Sequence, residues 1–143
     1  MTGPVSAAPG DILYSDDFED GTLTNWTNTN GSRSGVSSNA GFAGSGAFGA
    51  FTRRGVVTVT SPGFNAAVPA ANLTMWVRRG ADSFSEDTDT NEDFVIEYRD
   101  TGGGWNPIVT YQGSGTNGQT YNLSYFLPGW NPLENVFFKT CNV

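Results

Sequence analysis

Histidine is absent from all 143 residues, cysteine occurs once, and no long apolar run interrupts the chain. Without imidazole there is no Ser-His-Asp or Cys-His catalytic arrangement, no histidine zinc ligand, and no side chain that ordinarily serves as a base at neutral pH. The single Cys141 cannot close an intrachain disulfide and, close to the C-terminus, reads as a bystander thiol. Cations are scarce too. Lys and Arg total 7 against 14 Asp and Glu, a net charge of -7, and a field of that sign makes nucleic acid and membrane surfaces poor partners. Residues 1–10, Met-Thr-Gly-Pro-Val-Ser-Ala-Ala-Pro-Gly, have neither a basic start nor an apolar stretch. They are expected to form a flexible linker, cut from a larger exported precursor, and not an export signal.

What the chain does contain is turn residues in quantity, with Gly 19 and Pro 7, separating short segments rich in Val, Tyr, Phe, Trp and Thr. That composition, with no sustained 3.6-residue apolar period, predicts an all-β fold. A chain of this length suits one domain, residues 11–143, able to bury roughly two-thirds of the surface it would expose unfolded. Candidate strands are Ile12 to Phe18, Ala47 to Arg53, Gly55 to Ser61, Asn72 to Arg79, Asp93 to Arg99, Ile108 to Tyr111, Tyr121 to Leu127 and Val136 to Thr140. Alternation places Leu73, Met75 and Val77 opposite Thr74, Trp76 and Arg78, and Phe94, Ile96 and Tyr98 opposite Val95, Glu97 and Arg99. Each strand thus offers one face to a core, and eight of them predict an antiparallel two-sheet β-sandwich.

Three groups of residues carry candidate chemistry. In the acidic run Asp16-Asp17-Phe18-Glu19-Asp20, an extended strand would send Phe18 inward and set Asp17 and Glu19 on the other face, rigidly spaced for a hard cation. A second cluster, Asp87-x-Asp89-x-Asn91-x-Asp93, imitates the start of a calcium loop. Glu92 stands where that loop needs glycine and Tyr98 where it needs glutamate, so the plainer reading is a solvated acidic hairpin neutralised by Arg78 or Arg79. The repeated Gly-Trp-Asn-Pro at 104–107 and 129–132 displays Trp105 and Trp130 at sheet ends. With Tyr111 and Tyr121 these offer platforms for sugar rings, against the alternative of indoles packed at loop-to-strand junctions. Asp87, Asp89 and Glu92 evoke the carboxyl pair of a glycosidase, about 5 to 5.5 Å apart in retaining enzymes. Their surroundings are wholly polar, and nothing there would desolvate one acid into a proton donor.

The segments Tyr14 to Trp26, Phe51 to Pro62, Leu73 to Asp87 and Glu92 to Tyr98 together resemble the N-terminal region of MshQ-type proteins, the MSHA pilus biogenesis family. That region is in turn similar to MAM-like and concanavalin A-like jelly rolls. The resemblance, over residues 11–133, implies a bacterial, exported, surface-associated module of a type IV pilus system without assigned enzymatic activity. It implies as well that a structural calcium ion clips the first and last strands, with Asp17 and Glu19 as ligands. Such modules close with a further acidic strand, whereas this chain runs Glu134-Asn135-Val136-Phe137-Phe138-Lys139-Thr140-Cys141-Asn142-Val143. The expectation is therefore a domain truncated at its C-terminal strand, whose unpaired edge invites self-association. The functional expectation is a non-enzymatic extracellular module binding a pilus or cell-surface protein in adhesion or assembly. The alternatives are a carbohydrate-binding module using Trp105, Trp130, Tyr111 and Tyr121 and, less favoured, a glycoside hydrolase. Asp17, Glu19, Asp87, Asp89 and Asp93 are the candidate calcium ligands.

Overall fold

A computed structural model describes residues 8–39, 44–65, 70–81, 88–99, 103–128 and 135–142. Among these there is no helix, and so none long and apolar enough to cross a membrane. The ten strands are β1 (Thr27–Asn28), β2 (Ser34–Ser37), β3 (Gly49–Thr52), β4 (Val57–Thr60), β5 (Phe64–Asn65), β6 (Ala70–Arg78), β7 (Phe94–Arg99), β8 (Trp105–Tyr111), β9 (Thr120–Pro128) and β10 (Asn135–Asn142). Every pairing is antiparallel. A six-stranded sheet runs β1-β4-β10-β7-β8 with β5 also on β10, and β2-β3 and β6-β9 form two-stranded sheets.

The seven candidate strands from Ala47 onward all contain strand structure, with boundaries moved by up to three residues. Ile12 to Phe18 does not. Turns begin at its end, where Asp16 Oδ1 accepts from Phe18 N at 2.9 Å, and continue just beyond it, with Asp17 Oδ1 accepting from Glu19 N at 3.1 Å and Asp20 Oδ1 from Thr22 N at 2.9 Å. Aspartates that bond two residues ahead replace a sheet ladder by turns, and Phe18 takes a left-handed φ of 62°. Strand β2, Ser-Gly-Val-Ser, carries too little apolar patterning to be foreseen. Gly35 pairs in register with Phe51, whose ring lies 3.2 Å from where a Cβ on Gly35 would sit, so the aromatic covers the bare backbone.

The C-terminal segment is not an open edge. β10 pairs with β4 on one side and β7 on the other, its first residues also meeting β5, and Cys141 stands in register between Thr58 and Val95. Among the described residues β1 and β8 end the main path of this sheet, and β5 pairs with β10 alone. Val57 and Ile96 are fully buried and Val59 is 7% exposed, each such side chain contributing about 1.5–3 kcal/mol by leaving water. All three lie on one face, which fixes that face as the apolar one.

Strand β8 changes sides midway. Ile96 pairs with Val109 but Glu97 with Pro107, leaving Ile108 as the extra residue of a β-bulge. Proline has no N–H to give to the ladder, so a bulge at this point relieves it of that duty. Tyr111 and Val109 consequently share the face of Phe94 and Ile96, whereas Trp105 and Pro107 join Arg99 and Glu97 on the opposite one. In the β6-β9 pair, Leu73, Met75 and Val77 oppose Tyr125, Leu123 and Tyr121 on one half-buried face. The other face is exposed at Asn72, Thr74, Asn122 and Ser124. Trp76 is the exception there. Gly44 lies against its indole so closely that a Cβ would come within 2.6 Å.

Candidate binding surfaces

The acidic N-terminal segment is organised by Asp16, a residue the sequence reading did not single out. Its carboxylate accepts from Tyr14 OH at 3.2 Å, Phe18 N at 2.9 Å and Trp26 Nε1 at 2.6 Å. The Trp26 ring packs against Tyr14 at 5.9 Å and Phe18 at 5.7 Å between centroids. Burial pushes the Tyr14 phenol up to about 12, helped by the negative charge and hydrogen bond of Asp16. Around this hub opens a cleft of about 360 Å³ lined by Tyr14, Ser15, Asp16, Asp17, Asp20 and Asn25.

Asp17 and Glu19 do not share a strand face. The Glu19 carboxylate accepts from Ala47 N at 2.9 Å and Phe48 N at 2.9 Å, tying the segment to the start of β3. Gly46, at φ 74°, brings its backbone so near that a Cβ would lie 2.3 Å from Glu19 Oε1. Convergent backbone amides of this kind form an anion-binding concavity, and here the anion is the protein's own glutamate. Asp17 instead serves the Glu19 amide.

Of the second acidic group, Asp87 lies outside the described residues. Glu92 Oε2 accepts from Asp89 N at 2.8 Å, and Glu92 N returns a bond to Asp89 O at 3.0 Å, closing a turn in which Asn91 has φ 74°. Asp93 Oδ1 accepts from Gly113 N at 2.9 Å. The carboxylates of Glu92 and Asp93 are thus engaged by the backbone of their own turn and of the loop after β8, and Asp89 takes part through its backbone. Among the described residues no three acidic or thiol side chains gather around a common point where a metal ion would sit.

Of the two arginines expected to neutralise the acidic hairpin, Arg79 turns to carbonyl groups. Arg79 is 6% exposed, and its guanidinium donates to the carbonyls of Gln112 and Gly113, to Gly115 O at 3.1 Å and to Thr88 O at 3.5 Å. Its Nε finds no acceptor. Planar guanidinium geometry suits several carbonyls at once, so one side chain at the end of β6 holds the 112–118 loop against the 88–93 turn. A buried arginine bonded to carbonyls leaves no trace in residue type or spacing.

The four aromatic candidates separate. Tyr111 and Tyr121 are brought together, stacked at 4.1 Å and 29°, and Phe94 continues the row at 6.4 Å from Tyr111. The contact joins β8 to β9, so these two rings cover each other. Burial, and after it the Tyr121 phenol, pushes Tyr111 above the usual tyrosine range. Trp105 is on the opposite face of β8, with the Arg99 guanidinium 5.1 Å from its ring centre. Trp130 lies outside the described residues. Neither a protein-family model nor a curated protein matches the chain.

Proposed function

We propose that the chain is a non-catalytic, jelly-roll β-sandwich module of an exported bacterial surface protein of the pilus-biogenesis type, acting in adhesion or pilus assembly. The stacked Tyr111 and Tyr121 support the sandwich, since they join the apolar face of the six-stranded sheet to the apolar face of β6-β9. The observation that carries the non-catalytic reading is the use made of the carboxylates. Glu19, Glu92 and Asp93 each accept from backbone amides, so these carboxylates are committed to holding turns and loops. The pilus assignment rests on the sequence blocks named above. Its test is deletion of residues 11–143 from the parent gene, with surface pili and cell adhesion as readouts. Unchanged piliation and adhesion would sink it, and reducing sugar released from polysaccharide by the purified chain would replace it with a hydrolase.

Carbohydrate binding is the second reading, and Trp105 favours it. Its indole stands on the face away from Val57 and Ile96, beside Arg99 and Glu97, where an aromatic ring can stack on a sugar while charged neighbours meet hydroxyls. Tyr111 and Tyr121 contribute to this reading only at their edges, because their faces meet each other. Quenching of tryptophan fluorescence by a neutral glycan, lost in Trp105→Ala, is the expected signature; a glycan array without hits removes it.

A further inference from the structure

Residues 21–81 contain no Asp or Glu and five arginines, in a chain whose net charge is -7. Arg33, Arg53 and Arg54 meet at the turn between β3 and β4. Arg53 N donates to Arg33 O at 2.8 Å, and the Arg33 guanidinium lies over Gly55, with Nη1 2.8 Å from the place of a glycine Cβ. Arg53 rests on the Phe51 ring at 5.3 Å. All three arginines are exposed, and among the described residues none pairs with a carboxylate.

The turn keeps this grouping against two local preferences. Like charges repel, and the surplus of acids elsewhere would have supplied partners. Arg54 also holds φ 59°, a left-handed conformation in which glycine or asparagine is more at ease. Strain retained at an exposed residue points to a role for its side chain. Gly55, at φ 103°, is needed both for the turn and for the approach of Arg33.

We propose that Arg33, Arg53 and Arg54 form a binding site for an anionic polysaccharide, recognised through its carboxylate or sulfate groups. Guanidinium forks match such oxoanions bidentately, and a flexible polyanion needs no pocket. A protein partner would ask for an apolar centre to the patch. Val56, 62% exposed, is the sole neighbour of that kind; the other large exposed hydrophobics among the described residues are Ile12 and Phe126. The site is separate from Trp105 and independent of the pilus reading, so failure here leaves the deletion test above intact.

The test is binding of the purified chain to a sulfated heparin oligosaccharide, a carboxylate-only alginate oligosaccharide and a polyglutamate peptide, followed by calorimetry at two salt concentrations. Binding to at least one glycan is expected, weakening roughly 20- to 40-fold between 50 and 200 mM salt for three charge contacts. Preference between the two glycans assigns the oxoanion. Combined Arg33→Gln, Arg53→Gln and Arg54→Gln should reduce affinity at least tenfold, while Arg78→Gln, with the charge change of one substitution, should leave it within twofold. Arg54→Gly alone should weaken binding and raise the melting temperature, which separates loss of the site from loss of the fold. Binding to neither glycan, an undiminished triple variant, or tighter binding to polyglutamate than to both glycans would overturn the proposal.

Discussion

Replacing Arg79 by methionine keeps the aliphatic stem and removes the guanidinium from four carbonyl acceptors. Two of these, on Gln112 and Gly115, belong to exposed residues and can take water in exchange; Gly113 is buried and Thr88 half-buried. Gly113 O keeps a bond from Thr88 Oγ1 at 3.1 Å, so the loss is partial even there. Hydrogen bonds to a charged group are worth about 1.5–3 kcal/mol when buried. Offsetting this, the buried cation no longer has to be desolvated. The net expected cost is about 2–3 kcal/mol. For a domain of this size that lowers the melting temperature by roughly 6–12 °C. Urea unfolding followed by tryptophan fluorescence measures it directly, with an unchanged slope indicating that the unfolded state is unaffected. Arg79→Lys should recover little, because a single ammonium cannot reach carbonyls spread over a fork. If Arg79→Met costs less than about 0.5 kcal/mol, the level of an ordinary surface change, the idea that this residue locks the two loops is wrong.

Tyr14, raised to about 12 from an unfolded value near 10, makes stability fall as pH rises from about 10 through 12, since the unfolded phenol gives up its proton first. Asp16→Asn should lower that phenol's titration point while leaving the part due to burial, as read by ultraviolet titration; an unmoved point would detach Asp16 from Tyr14. Glu19→Gln should cost about 1 kcal/mol, because the amides of Ala47 and Phe48 lose a charged acceptor in a screened, exposed setting. A thermal melt indistinguishable from the parent chain would contradict this. The calcium proposal for Asp17, Glu19, Asp87, Asp89 and Asp93 requires a melting midpoint that rises with millimolar calcium and returns with chelator, since a ligand of the native state must stabilise it; equal midpoints remove it. Unpaired strand edges predict self-association at high concentration, and light scattering showing only monomer would refute that.

Period-two patterning made much of the fold legible. Leu73, Met75 and Val77 share a face of β6 as expected, as do Phe94 and Ile96 in β7, because a buried sheet face tolerates no slip of register. Patterning failed where a local bond outcompeted the ladder. At the end of Ile12 to Phe18 and just past it, aspartates at 16, 17 and 20 bond the amides of Phe18, Glu19 and Thr22 into turns. It also failed at Ser34–Ser37, whose partner Phe51 supplies the covering that the strand itself lacks. For the candidate sites, residue type was readable and geometry was not. Tyr111 and Tyr121 do come together, but in contact with each other, and Trp105 was separated from them by a bulge whose visible sign was Pro107. Arg79 organises its surroundings through carbonyls and Asp16 through one amide and two aromatic side chains, and spacing rules register neither.

The extra residue at Ile108 gives one short ribbon of chain two audiences. Downstream of it Val109 and Tyr111 address the protein's own interior; upstream Trp105, beside Arg99 of β7, addresses the outside world. Flattening that bulge with every residue kept would exchange those roles along the upstream half, turning an indole inward and an asparagine out. A binding surface on this side can therefore be gained or erased by a one-residue change of register, without altering any residue that does the binding.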